Sequence, residues 1–118
     1  MYCALFSSDA SLESSKEVAL RMVNVVLPDL PFENGNEVAL LISGLGSTPV
    51  MELYIIYRDV VSILEEKGIK VHLSYVGNYF TSLEMIGATL TLMKLDDELK
   101  ECMDYEADSV GLRQFQRT

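Results

Sequence analysis

The residues best placed to do chemistry in this 118-residue chain are Gly44-Leu45-Gly46-Ser47-Thr48-Pro49, a glycine-rich stretch between an apolar run and an amphipathic one. Where a strand turns into a helix, backbone N–H groups and the helix dipole converge, and a phosphate or carboxylate can be seated there. Gly44, Gly46, Ser47 and Thr48 are therefore the candidate anion-binding residues. The stretch lacks the Gly-Lys-Ser/Thr ending of a P-loop and the third glycine of the dinucleotide fingerprint. A tight strand-to-helix turn without a ligand is the plainer reading of the same residues.

His72 is the only histidine, so any step that needs an imidazole falls to it. It lies mid-strand between Lys70 and Ser74, with no acid supplied by its own segment, and a surface or interface histidine is the expectation. The acidic groups Glu65-Glu66, Asp96-Asp97-Glu98 and Asp104 with Glu106 could offer oxygen to a divalent cation, yet their spacing is not that of a dedicated cation loop. They read as solvated helix ends. Cys3 and Cys102 stand at opposite ends of the chain with no CxxC and no companion histidine, which predicts two reduced thiols. Neither a catalytic residue, a metal site nor a cofactor is expected from these patterns.

The elements that must position these residues follow from periodicity. Val18, Met22, Val25 and Val26 line one face of a helix that Ser14 or Ser15 caps and Pro28 stops. Pro31 to Asn36 is dense in turn formers. Val38 to Ile42 is a short apolar run suited to a strand buried on both faces. Ser47 or Thr48 is expected to cap the next helix, with Pro49 near its first position and Gly68 as its stop. Two apolar stripes, one of Leu53, Ile56, Val60 and Ile63 or Leu64 and one of Val50, Tyr54, Tyr57 and Val61, predict a broad buried face.

Ile69, Val71, Leu73 and Tyr75 alternate with Lys70, His72 and Ser74, the period of a strand with one face less buried. Thr81-Ser82-Leu83-Glu84 has the form of a capping box and predicts a short helical turn. A further strand is expected over Ala88 to Leu95, then a helix capped by Asp96 that ends near Tyr105, then a loosely held tail. The aromatic cluster Tyr75, Tyr79 and Phe80 suits a core or an interface.

The fold class is α/β, a small mixed or parallel sheet with helices packed on it. Three strands make a small sheet with exposed edges, so either the N-terminal residues complete it or another chain pairs with it. The domain reading is an N-terminal segment over 1–14, one α/β domain over 15–106 and a C-terminal tail over 107–118. A formal charge of −9 opposes binding to nucleic acid and to anionic membranes. No apolar run approaches the length of a membrane span, and Met1 to Phe6 lacks the basic start of a secretory signal, so a cytoplasmic location is expected.

Two longer stretches go beyond composition. Asn36 to Tyr54, with its NEVALLISGLGSTPVMELY sequence, resembles the strand, glycine turn and helix of the substrate-binding unit of dihydroxyacetone (glycerone) kinase. Ser74 to Met85 (SYVGNYFTSLEM) resembles the same family, and Leu92 to Leu99 continues the similarity, which covers roughly Lys16 to Asp104. The resemblance implies a C-terminal piece of that unit and a place in phosphorylation of dihydroxyacetone in glycerol metabolism. In the family the substrate is bound covalently through a histidine that precedes the matched region. Met1 to Ser14 carry no such histidine, and His72 falls where the family commonly has another residue, so no catalytic residue is inherited. The expectation is a truncated kinase subunit, inactive alone, or a non-catalytic regulatory or assembly module that pairs with a kinase subunit. The partners implied are a second copy in a homodimer, a nucleotide-binding kinase subunit, or the missing N-terminal part of the unit.

Overall fold

The computed structural model describes residues 2–7, 14–29 and 31–116. Ser14 opens the first helix, α1 (Ser15–Val26), as its N-cap: its hydroxyl accepts from the Glu17 amide while the Glu17 carboxylate accepts from the Ser14 amide. This reciprocal pair satisfies two N–H groups that the helix leaves orphaned, and it is written locally in the sequence. Val18, Ala19, Met22, Val23 and Val26 are buried along its inner face, and a short 3₁₀ turn at Leu27–Asp29 ends it at Pro28. Val25, expected on the buried stripe, is exposed.

Four strands form one mixed sheet: β1 (Tyr2–Ser7), β2 (Glu37–Gly44), β3 (Lys70–Gly77) and β4 (Gly87–Leu95), in the order β1-β4-β2-β3. β2 and β3 are parallel, joined by the crossover helix α2 (Val50–Glu66), and β4 runs antiparallel to both of its neighbours. The N-terminal residues thus complete the sheet. α2 stops at Gly68, whose φ of 75° is a left-handed turn that glycine adopts without steric cost.

One face of the sheet carries the core. Val38, Leu40 and Ile42 of β2 and Ala88, Leu90 and Leu92 of β4 pack with α1 and with Leu53, Val60, Ile63 and Leu64 of α2 in a single apolar cluster. The second stripe of α2 does not share that burial, since Val50 and Tyr54 are exposed and Tyr57 and Val61 are half-buried. A bulge in β3 also alters the expected alternation. Val38 pairs with Val71 but Ala39 pairs with Leu73, leaving His72 as the extra residue. Val71 and Val76 therefore pack against the helix-backed core, and Ser74 donates a 3.1 Å hydrogen bond to the Tyr57 hydroxyl of α2. Leu73 and Tyr75 turn to the other face.

That other face is covered differently. Helix α3 (Asp97–Asp104) is capped by Asp96, whose carboxylate accepts from the Leu99 amide at 2.8 Å, and no residue of the helix is buried. The segment expected as a tail carries a two-stranded hairpin, β5 (Ala107–Asp108) and β6 (Arg113–Gln114). Among the described residues no helix is long and apolar enough to cross a membrane.

Candidate functional site

The Gly44 to Thr48 turn lies at the carboxyl ends of the parallel strands β2 and β3, the edge where open α/β sheets commonly hold ligands. What fills the turn is the chain itself. The loop between β3 and β4 folds over it and is bonded to it through the backbone: Leu45 N–H donates to the Gly87 carbonyl at 3.1 Å, Ser47 N–H to the Met85 carbonyl at 3.0 Å, and Ser82 N–H to the Leu45 carbonyl at 2.7 Å. The Thr48 hydroxyl both accepts from the Gly87 amide and donates to its carbonyl, each at 2.9 Å. Ser43, fully buried, accepts from the amides of Tyr79 and Phe80, both at 2.9 Å.

These bonds explain the glycines. Gly46 has a φ of 133°, and a Cβ there would overlap the Ser82 carbonyl oxygen, while a Cβ on Gly44 would overlap the Asn78 side chain. They also redirect two local signals. Thr48 does not cap α2, since its hydroxyl is committed to Gly87; Pro49 is the N-cap residue and, having no side-chain acceptor, makes no cap bond. Thr81 to Glu84 does not form a helical turn: held by Ser82 and Met85 on either side, the chain passes through Glu84 with a φ of 57° instead. Of the four candidate anion-binding residues, Gly44 and Thr48 are buried and Gly46 and Ser47 are exposed. The amide of Ser47 already has a carbonyl acceptor, as does that of its neighbour Leu45.

A second polar cluster joins the sheet to α3. His72 Nε2 sits 2.9 and 2.8 Å from the two carboxylate oxygens of Asp104. Lys100 Nζ lies 2.6 Å from the Glu37 carboxylate, with Lys70 3.9 Å away on its other oxygen. The hydrogen bond from Lys100 holds the Glu37 carboxyl below the usual glutamate range, and the same contact raises the Lys100 ammonium above the usual lysine range. Beside it the Tyr75 hydroxyl donates to Gln114 Oε1 at 2.5 Å, and Gln114 Nε2 donates to the carbonyls of Met103 and Tyr105. Periodicity gave no sign of Gln114, whose role depends on a hairpin 39 residues away from Tyr75 in sequence.

The two expected sites are thus separate. The glycine turn stands at the carboxyl end of the parallel pair, whereas His72 stands near its start, opposite Val38 and Ala39. Asp96 to Glu98 cap and open α3, and Asp104 is spent on His72. Among the described residues no group of three histidine, cysteine, aspartate or glutamate side chains is placed to hold a metal ion. Cys102 is a free, exposed thiol.

The family model described as the Dak1 domain matches residues 7–111. The chain belongs to the Dak1 family. The PTS-dependent dihydroxyacetone kinase 2, dihydroxyacetone-binding subunit DhaK, of Listeria innocua is 44% identical over 99 residues, covering 84% of this chain and 30% of that subunit. The DhaKLM operon coactivator DhaQ of Lactococcus lactis is 40% identical over 88 residues, 72% of this chain and 26% of that protein. A solved structure concerned with regulation of the dha operon of Lactococcus lactis superposes with a TM-score of 0.81 at 30% identity, covering 89% of this chain and 34% of that one. The similarity and the α/β fold bear out the resemblance drawn from Asn36 to Tyr54 and Ser74 to Met85. The chain spans about a third or less of the length of these relatives.

Proposed function

We propose that this Dak1 chain is a scaffold portion of a dihydroxyacetone kinase substrate-binding subunit and that, taken alone, it neither binds nor phosphorylates dihydroxyacetone. The observation that carries the reading is the closure of the glycine turn by the chain's own loop: Ser43, Leu45, Ser47 and Thr48 all spend polar groups on residues 79–87. Covalent capture of a ketose carbonyl needs a positioned nucleophile and a base. The one imidazole is instead held against Asp104 at the far end of the strand. We further propose a cytoplasmic location and a homodimer, the latter supported by the exposed Val50 and Tyr54 of α2; light scattering that detects only single chains at high concentration rules the dimer out.

The test is an NMR titration of the labelled chain with dihydroxyacetone and then with its phosphate. We expect no saturable shifts at millimolar ligand. Saturable shifts centred on Gly44 to Thr48 would restore the anion-binding turn, and shifts centred on His72 would restore an enzyme reading. A second reading, a non-catalytic regulatory module that pairs with a kinase subunit, is favoured by the similarity to the Lactococcus lactis coactivator. A stable complex with a nucleotide-binding kinase subunit in the absence of any other Dak1 chain would select it.

A further inference from the structure

We infer that the outer edge of β4, Gly87 to Leu92, is a strand-acceptor site of the Dak1 unit and that β1 fills it in this chain as a stand-in for family sequence outside the matched region, an inference that rests on the scaffold reading above. The six residues of β1 lie antiparallel along that edge, from Tyr2 opposite Leu92 to Ser7 opposite Gly87. The family match begins at residue 7, so all of β4 belongs to it but only the last residue of β1 does. The match covers 30% of the Listeria innocua subunit, and the rest of that subunit is available to supply a strand of its own to the same edge.

The two strands that flank β2 are equipped differently. β3 stands at the edge of the sheet and carries what an edge needs, an exposed lysine at its start, Lys70, and the bulge at His72 that breaks its register. Over Gly87 to Leu92, β4 has no charge, no proline and no bulge, and all six residues are buried. Its first charge, the exposed Lys94, comes two residues after the pairing with β1 stops. This is the sequence of an inner strand, which needs a neighbour on each side.

The need is one of backbone. Along an antiparallel strand the N–H and C=O groups point alternately to one neighbour and to the other, so without β1 a row of them on β4 would have no partner. Such a row is a template on which an extended segment adds through main-chain hydrogen bonds, a mode of recognition tolerant of side-chain sequence. That tolerance lets a segment outside the family match meet a demand made by sequence inside it. By occupying the site, β1 also keeps strands of other chains off β4.

Ala4→Pro and Leu5→Pro, introduced together into the 118-residue chain, provide the test. Neighbouring residues of an antiparallel strand send their N–H groups to opposite sides, so one of the two prolines must remove a bond to β4. Amide exchange along β4 is read with and without an excess of a synthetic peptide of residues 2–7. The amides of β4 that bond to β1 are expected to exchange faster by about tenfold or more, while those between them that bond to β2 stay protected. The peptide should restore the slow rates in the variant, and the unsubstituted chain, its site already filled, should take up none. Unchanged exchange along β4 in the variant overturns the site. Where the substitutions unfold the chain outright, refolding on addition of the peptide supports the site and failure to refold overturns it. Restoration by a peptide that carries the same two prolines also overturns it, because a ladder is then not what the peptide supplies. Saturable shifts of the unsubstituted chain with dihydroxyacetone overturn the scaffold reading instead, a result independent of exchange along β4.

Discussion

The two faces of the sheet are held by different physics. On the face toward α1 and α2, side chains from both helices and from β2, β3 and β4 merge into one apolar cluster, with Leu40, Ile42, Leu53, Leu64, Leu90 and Leu92 fully excluded from water. Burial of this kind contributes roughly 25 cal/mol per Å² of apolar surface and needs no particular partner. On the opposite face the buried strand side chains among the described residues are Ala39, Leu73 and Leu95 with the polar Ser43, Thr89 and Thr91, and α3 contributes no buried residue. That face is pinned by named polar contacts, His72 to Asp104, Lys100 to Glu37 and Gln114 to Tyr75. Packing makes the helix-backed side a single cooperative unit. The pinned side is a separable layer, because exposed or half-exposed ion pairs contribute little and are screened by salt.

The largest effect expected from this contrast is in the core. Leu53→Ala removes a fully buried side chain between α2 and the sheet and should cost about 2–5 kcal/mol, the usual range for leucine truncation in a packed interior. Met103→Ala on half-buried α3 should cost less than about 1 kcal/mol. Urea unfolding followed by circular dichroism measures both. Comparable losses would mean that the two faces are one cooperative unit after all.

The next effect concerns the turn that links the layers to the loop between β3 and β4. Thr48→Val keeps the side-chain shape but removes both hydrogen bonds to Gly87, taking the hydroxyl acceptor from its buried amide and leaving its carbonyl only the Leu45 N–H. A loss of about 1–3 kcal/mol is expected, the cost of a buried polar group left unsatisfied. Hydrogen exchange should quicken at Ser47, Ser82 and Gly87, whose bonds close the loop, before it quickens in α2. Uniform acceleration across the chain would show instead that the loop opens only when the whole domain unfolds.

How far the sequence announced these features depends on how local their causes are. The start of α1 was legible to within one residue, Ser14 or Ser15, and the reciprocal bond with Glu17 selects Ser14; the end of α2 was legible too, since Gly68 terminates the helix whatever lies around it. The buried run Val38 to Ile42 and the apolar face of α1 were legible from periodicity, apart from Val25. The bulge at His72 was not, because alternation along one strand says nothing about register with its neighbour, and one extra residue reverses the faces of everything beyond it. The loop over the glycine turn was misread for a related reason. Its local capping-box signal is worth about as much as one or two hydrogen bonds, and contacts nearly 40 residues away in sequence supplied more of them. The pinning by Gln114 had no signal at all in its own segment.

The smallest effect tests the pinned face by pH. Because the Lys100 hydrogen bond lowers the Glu37 carboxyl, the unfolded chain binds that proton more readily than the folded one, and the contact stabilises the fold at neutral pH. The contribution is complete above the unfolded glutamate value, about 4.3, and is lost as the pH falls from there through the lower folded value. At the alkaline end the raised Lys100 gives the mirror behaviour: its share is complete below about 10.4 and is lost as the pH rises through the folded value. Lys100→Met should therefore quicken hydrogen exchange in α3 and the β5–β6 hairpin at pH 7 with little change in α1 and α2. The difference between wild type and variant should shrink below about pH 4 and again above about pH 10. A difference that is independent of pH would mean that Lys100 holds α3 through its methylene stem and not through its charge.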